Sequence, residues 1–214
     1  MKTLLLAAVL LCAAVAGCAA PVTTTTSMAT TAGSTSATIK APDPCAGQTR
    51  AMHADVDSAR TLVAIATDQG CLVAQLYDDK SPITVANFKQ YVTEGFYTNR
   101  EFYRIVPGFV NQAGGESQGD TGKHPAIADE ATASGLHNYQ YTLAMARTND
   151  PHSATTEFYI NAANNTAGHP SNLDPGGVSP DGYAVFGILV AGRDVSDKIN
   201  HLQSAALQSI VVLS

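Results

Sequence analysis

The chain has 214 residues, of which 45% are hydrophobic and only 14% charged, enough for one domain with a sizeable core plus low-charge appendages. Its 12 basic and 18 acidic side chains give a net charge of −6, and no stretch concentrates Lys and Arg, which speaks against a nucleic-acid partner. The 6 His are scattered without H-E-x-x-H or comparable spacing, so no metal site is expected.

The N-terminus reads as an export signal. Lys2 gives a short positive start, and every residue from Leu4 to Ala20 is apolar or small. The tetrad Val15-Ala16-Gly17-Cys18 resembles the lipobox of bacterial lipoproteins, in which the Cys receives a diacylglyceryl group and becomes the first mature residue. Residues 1–17 are therefore read as a lipoprotein signal peptide and Cys18 as the lipidation site. The expected product is an exported bacterial lipoprotein, membrane-anchored and facing the periplasm or the cell exterior. A transmembrane signal anchor is the alternative, but the run is slightly short of the ~20 residues a span needs and lacks a basic stop. A soluble product cut near Ala20 is another.

From Thr23 to Thr38 nearly every residue is Thr, Ser or Ala, with too little apolar bulk to offset the entropy of ordering. Ala41-Pro42-Asp43-Pro44 closes this stretch with a stiff, extended element. Residues 18–44 are expected to form a tether with a reach of about 25–30 Å, ahead of a domain over 45–214. Cys12 leaves with the signal, so Cys45 and Cys71 remain as an even pair in an exported protein. A disulfide is expected, with two unpaired buried thiols as the alternative.

Along the domain, Thr61–Thr67 and Cys71–Tyr77 flank the turn signal Asp68-Gln69-Gly70 and predict a hairpin. Ser81-Pro82 reads as the N-cap and first residue of a helix with Ile83, Phe88, Tyr91 and Val92 at helical spacing, and Gly95 sits where a C-terminal cap belongs. Further strands are expected over Phe102–Val106, Val110–Ala113, Tyr141–Ala146, Glu157–Asn161, Ala184–Val190 and Ile210–Leu213. A second helix is expected over Asp194–Leu202, with Val195, Ile199 and Leu202 on one face. Short strands with two helices point to a capped β-barrel or a sandwich, and propensity alone does not choose between them.

The segment from Phe102 to Gly114 resembles the cyclophilin signature F-[HY]-R-x-x-P-x-F-x-x-Q-x-G. Leu143-Ala144-Met145-Ala146-Arg147 is similar to that family's following strand, and Ser153–Asn161 to its S-A-T-S-Q-F-F-I-N segment. Leu173-Asp174, Gly182–Gly187 and Asp194–Ile199 resemble later family segments in the right order. The resemblance, closest to exported bacterial members, runs from about Thr61 to Ser214. It implies a mainly β fold, a closed eight-stranded antiparallel barrel capped by two α-helices, and peptidyl-prolyl cis-trans isomerase activity. A non-catalytic module that binds Pro-containing segments is the alternative.

That activity explains the residue types. Rotation about an X-Pro bond crosses a barrier near ~20 kcal/mol because it breaks amide resonance, and no bond is cleaved, so neither nucleophile nor cofactor is required. By resemblance, Arg104 is the catalytic residue: a guanidinium beside the prolyl nitrogen donates to its lone pair only once resonance is lost. Gln112 would orient Arg104 and the substrate carbonyl. Phe109, Val110, Tyr159 and Leu173 would line the prolyl slot, with Tyr183 at its rim, and the backbone at Ala146 and Arg147 would pair with the peptide. The implied partners are Pro-containing segments of exported proteins, engaged by a monomer.

Several positions depart from the family pattern. Glu157 stands where Gln is usual, and its carboxylate is expected to pair with Arg104 or Arg147 and compete for the guanidinium. Val110 replaces a usual Met, Tyr159 a common Phe, and Asn172 the aromatic that precedes Leu-Asp, while residues 167–181 form an insert. Cyclosporin binding leans on that aromatic, so weak sensitivity is expected. Gly115-Glu116-Ser117-Gln118-Gly119 matches the G-x-S-x-G pattern of serine hydrolases, but that motif needs a strand before and a helix after, and Asp120–Pro125 reads as loop.

Overall fold

Strands β1 (Leu62–Thr67) and β2 (Gly70–Leu76) form the predicted hairpin, closed by a tight turn in which Thr67 Oγ1 accepts the N–H groups of Gln69 and Gly70. The structure, a computed structural model, describes residues 42–115 and 124–214. The signal segment, Cys18, the tether up to Ala41 and Glu116–Gly119 of the G-x-S-x-G motif lie outside the described residues.

The remaining strands are β3 (Arg100–Phe102), β4 (Arg104–Val106), β5 (Val110–Ala113), β6 (Thr142–Met145), β7 (Phe158–Asn161), β8 (Val185–Ala191) and β9 (Ala205–Val212). They join in one antiparallel sheet of order β3-β9-β1-β2-β8-β6-β7-β5-β4. Among the described residues the expected eight strands are thus nine, because the run expected as one strand over Phe102–Val106 breaks at Tyr103. Its first half pairs with β9 (Arg100↔Leu207) and its second with β5 (Arg104↔Gln112). The two ends of the sheet order are therefore neighbours in the chain, and the sheet curls into a nearly closed barrel. The last strand begins five residues before the expected Ile210, since Ala205 and Leu207 face the core at period two.

Helix α1 (Pro82–Thr93) buries Val85, Phe88, Tyr91 and Val92 at one end of the barrel. Ile83, expected on that face, is 46% exposed. It lies five residues before Phe88, off the i−3/i−4 positions that Thr84 and Val85 occupy. Ser81 does not cap the helix: its hydroxyl donates to the Val185 carbonyl at 2.6 Å. The buried carboxylate of Glu130 does so instead, accepting the N–H groups of Ile83 and Thr84 and the Thr84 hydroxyl. A carboxylate at a helix N-terminus satisfies orphan donors and the positive end of the dipole together. Glu130→Ala leaves those buried donors without a partner, so a loss of about 2–4 kcal/mol is expected, read as a lower urea midpoint at unchanged slope. Glu130→Gln, which keeps one acceptor oxygen, is expected to lose less.

At the other end of α1, Gly95 adopts φ +68°. Its N–H bonds to the Val92 carbonyl and that of Phe96 to the Tyr91 carbonyl, with the Tyr91 and Phe96 rings 5.0 Å apart. This is the glycine-terminated cap that the sequence predicted.

A one-turn helix, α2 (Ala131–Ser134), follows Glu130 and had no signal in the sequence, being too short to show periodicity. Helix α3 (Arg193–Ile199) buries Ile199, with Val195 packed on the core as expected, but it ends three residues before the expected Leu202, which packs on the core from the turn that follows. The N-terminal part of the domain carries a 3-10 turn over Arg50–His53 and is fastened by a Cys45–Cys71 disulfide with Cα atoms 5.0 Å apart. Cys45, Val56 and Leu213 pack on the outer side of β1 and β2 with Leu62, Ala64 and Val73. Closing a loop with a sequence separation of 26 is worth about 3 kcal/mol in the chain-entropy account.

Candidate active site

The site grows from the two-residue period of β5, β6 and β7. Asn111, Ala113, Leu143, Met145, Phe158 and Ile160 point into the barrel, so their neighbours Val110, Gln112, Ala144 and Tyr159 point out. Cross-strand register sets Arg104 opposite Gln112, Gln112 opposite Tyr159 and Tyr159 opposite Ala144, one row across the outer face of four strands. An apolar cluster outside the barrel results: Val110, Ala144, Tyr159, Leu173 and Val185, with Phe109 and Tyr183 packed against it.

The turn between β4 and β5 is fixed from the barrel interior. Gly108 takes φ +68°, and its N–H donates to Asn200 Oδ1 at 2.7 Å. Asn200 Nδ2 donates in turn to the Val106 carbonyl and to Asn111 Oδ1. The end of α3 thereby holds the hairpin that carries both Arg104 and Gln112.

A cavity of about 400 Å³ opens on this face, lined by Arg104, Phe109, Val110, Gln112, Ala146, Arg147, Tyr159, Leu173 and Tyr183 together with Ser171 and Val178. Of the site residues expected from the sequence, Glu157 alone is not among its walls. Arg104 is exposed; its Nη1 donates to Gln112 Oε1 at 2.9 Å, and its guanidinium lies 6.0 Å from the Phe109 ring. Glu157 pairs with neither guanidinium. Its Oε2 accepts Gln112 Nε2 at 2.7 Å and the Tyr103 hydroxyl at 2.5 Å, while Gln112 Nε2 also donates to the Tyr103 oxygen. An ionised carboxylate only accepts, so Glu157 selects the amide orientation of Gln112 that turns Oε1 toward Arg104. Burial, then the Glu157 hydrogen bond, pushes the Tyr103 phenol well above its ordinary pKa and keeps it a donor.

A larger hollow of about 520 Å³ lies between Asn99–Glu101 and Ser204–Ala206, but among the described residues no apolar side chain bigger than Ala lines it. It offers no slot for a proline ring.

Residues 62–214 match the family described as “Cyclophilin type peptidyl-prolyl cis-trans isomerase/CLD”. The chain belongs to the cyclophilin family. It is 41% identical over 149 residues to a peptidyl-prolyl cis-trans isomerase of Acinetobacter baylyi, an alignment covering 69% of this chain and 76% of that one. To peptidyl-prolyl cis-trans isomerase B of Escherichia coli it is 44% identical over 141 residues, 64% of this chain and 83% of that one. A crystal structure of a cyclophilin-type isomerase from Cryptosporidium parvum shares the fold at a TM-score of 0.62 and 22% identity, covering 72% of this chain and 98% of that one. This cyclophilin is a peptidyl-prolyl cis-trans isomerase, an enzyme that binds proline-containing peptides.

The departures from the family pattern now have positions. The Tyr159 hydroxyl does not enter the cavity; it donates to Asn138 Oδ1 at 2.9 Å, and burial raises its pKa well above the ordinary value. Asn172 does not line the cavity either: its Oδ1 accepts the Asp174 N–H. The arginine expected to offer its backbone, Arg147, has a side chain only 3% exposed, turned into the protein and stacked 4.6 Å from the Tyr183 ring.

Sequence reasoning missed Tyr103, Ser171 and Val178, and a buried amide network behind the slot. Asn138 and Asn161 bond to each other, Asn165 donates to Asn161 and to the Phe109 carbonyl, and Asn138 binds the Asp174 carboxylate. The one available signal was Asn161, which shares the outward period of Tyr159.

Proposed function

We propose that this cyclophilin accelerates X-Pro rotation in exported proteins, with Arg104 as its catalytic residue, acting as a lipid-anchored monomer outside the cytoplasmic membrane. One observation carries the catalytic part: a guanidinium bonded to Gln112 borders a solvent-open cavity of about 400 Å³ whose apolar walls include Phe109, Val110 and Leu173. Phe109, Val110, Tyr159 and Leu173 take up the prolyl ring, which removes its apolar surface from water. Arg104 then faces the prolyl amide. In either planar isomer the nitrogen lone pair is delocalised and accepts poorly. At the twisted geometry it becomes an acceptor, and the Arg104 N–H donates to it. This bond grows only in the transition state, which is the condition for acceleration. Gln112 holds the guanidinium through Oε1, and Glu157 with Tyr103 holds Gln112, so little reorganisation accompanies the twist.

The anchoring reading rests on the lipobox-like Val15–Cys18 and the Thr-rich stretch up to Pro44, with the domain taken to begin at Cys45. Two or more acyl chains on Cys18 suffice for stable anchoring where one does not. The wild-type chain, expressed in a bacterium fed a labelled fatty acid, is expected to carry label and sediment with membranes. Cys18→Ser is expected to lose the label and to accumulate as precursor or in the soluble fraction. An unlabelled wild-type protein at the membrane overturns the lipoprotein reading. The catalytic reading is tested by isomerisation of an Ala-Pro peptide, and by the proline-limited refolding of an exported protein.

A further inference from the structure

We propose that the segment from Asn172 to Gly182 builds a second subsite, one that takes an apolar side chain next to the substrate proline, with Val178 as its specificity-determining residue. The proposal rests on the reading of the cavity as the prolyl site.

The segment folds onto itself. Val178 N–H bonds to the Asn172 carbonyl at 2.8 Å, Gly177 N–H to that of Asp174 at 2.9 Å, and Gly176 N–H to that of Pro180 at 3.0 Å. A side chain at Gly177 has no room, since its Cβ would lie 2.2 Å from the Asn172 carbonyl oxygen. The knob so formed is joined to the slot at Leu173 and Tyr183, whose backbones bond to each other.

Arg147 fastens the knob to the chain beyond β6. Its Nη2 donates to Ser179 Oγ and to the Gly182 carbonyl, and its Nη1 to the Thr148 carbonyl. The guanidinium covers the Tyr183 ring, and Asp129 Oδ2 lies 3.6 Å from Nε as a buried counter-charge. Both terminal nitrogens are engaged in this way while the buried Nε makes no hydrogen bond, so Arg147 acts as a positioning residue rather than a ligand for the peptide.

Val178 is what the knob presents. It is 57% exposed and yet lines the same cavity as Tyr183 and Ala146. Two guanidinium groups border the cavity: Arg104 pairs with Gln112, and Arg147 is turned onto Ser179 and Gly182. A peptide whose proline fills the slot runs on past one of the cavity walls, and an apolar side chain beside the proline removes the Val178 methyls from water. A charged or absent side chain gains nothing there.

The test is a panel of tetrapeptides with Leu or Gly immediately before the proline, and with Leu or Gly immediately after it. The readout is the ratio of kcat/KM for Leu over Gly on each side. Val178→Ser is expected to lower that ratio by about threefold to tenfold on one side, mainly through KM. This falls at or below what one methylene gives in an enclosed pocket, because Val178 is half open to solvent. Val178→Leu is expected to raise the same ratio. An exposed valine is no core support, and near-UV dichroism checks that both variants keep the native fold. In an Arg147→Lys background, Val178→Leu is expected to lose its effect, which a merely destabilising Arg147 substitution would not produce. Ratios that stay within twofold of wild type on both sides for both Val178 variants overturn the subsite. If instead Arg104→Ala leaves isomerisation intact, the failure lies with the prolyl-site reading itself.

Discussion

Arg104→Ala is expected to slow isomerisation of an Ala-Pro or Gly-Pro peptide at least tenfold. The residue is exposed, and its hydrogen bond is to Gln112 at 2.9 Å, so it makes no core contact whose loss would unfold the barrel. In the proposed mechanism, what disappears is one charge-assisted hydrogen bond to the prolyl nitrogen. Such a bond contributes about 1.5–3 kcal/mol, a factor of roughly 10 to 150 in rate. The thermal midpoint is expected to move by no more than a degree or two. Arg104→Lys restores the charge but not the planar fork, so only part of the rate returns, since an ammonium cannot hold Gln112 Oε1 and the prolyl nitrogen in one plane. A normal rate in Arg104→Ala would remove this side chain from the mechanism.

Glu157 gives the second large effect, in a direction the sequence did not foresee. From the sequence alone its carboxylate is a partner for Arg104 or Arg147 that competes for the guanidinium. The carboxylate instead takes Gln112 Nε2 at 2.7 Å and the Tyr103 hydroxyl, and so points Gln112 Oε1 at Arg104. Glu157→Ala frees the Gln112 amide to turn, which presents N–H donors to the guanidinium. A fall in kcat of about fivefold is expected, the equivalent of one oriented hydrogen bond worth ~1 kcal/mol. Glu157→Gln keeps an acceptor oxygen for Gln112 and is expected to stay within about twofold of wild type. A rise of more than threefold in Glu157→Gln, largest at low salt, would instead show that the carboxylate draws on the Arg104 charge.

Several local elements were legible because the interactions that set them are local. The β1–β2 hairpin, the Gly95 cap of α1 and the apolar face of α3 each depend on residues a few positions apart. The outward row of the site was legible in part for the same reason: Tyr159 and Gln112 follow the period of their strands, and the ordered motifs named the family. Where two remote segments meet, the sequence had no signal. The cap of α1 comes from Glu130, 46 or 47 positions from the N–H groups it accepts.

The split at Tyr103 likewise depends on two partners distant in the chain, β9 and β5, that draw one apolar run in two directions. Arg147 entered the site by resemblance and for its backbone alone, and nothing in the sequence says where its side chain goes. Only the folded insert supplied the Ser179 and Gly182 oxygens that turn its guanidinium inward. Glu157 was misplaced for the same reason, since the choice between Arg104 and the Gln112–Tyr103 pair depends on which donors from distant parts of the chain come within 3 Å of one carboxylate. The ordered motifs in the sequence named the family and, through that resemblance, the barrel and the residues that line the slot, while the cysteine count favoured the pairing of Cys45 with Cys71. The tertiary structure alone decided which of those side chains face the substrate and which hold the others in place, because hydrogen-bond partners are chosen by distance in space and a carboxylate or guanidinium carries no mark of its partner in the chain.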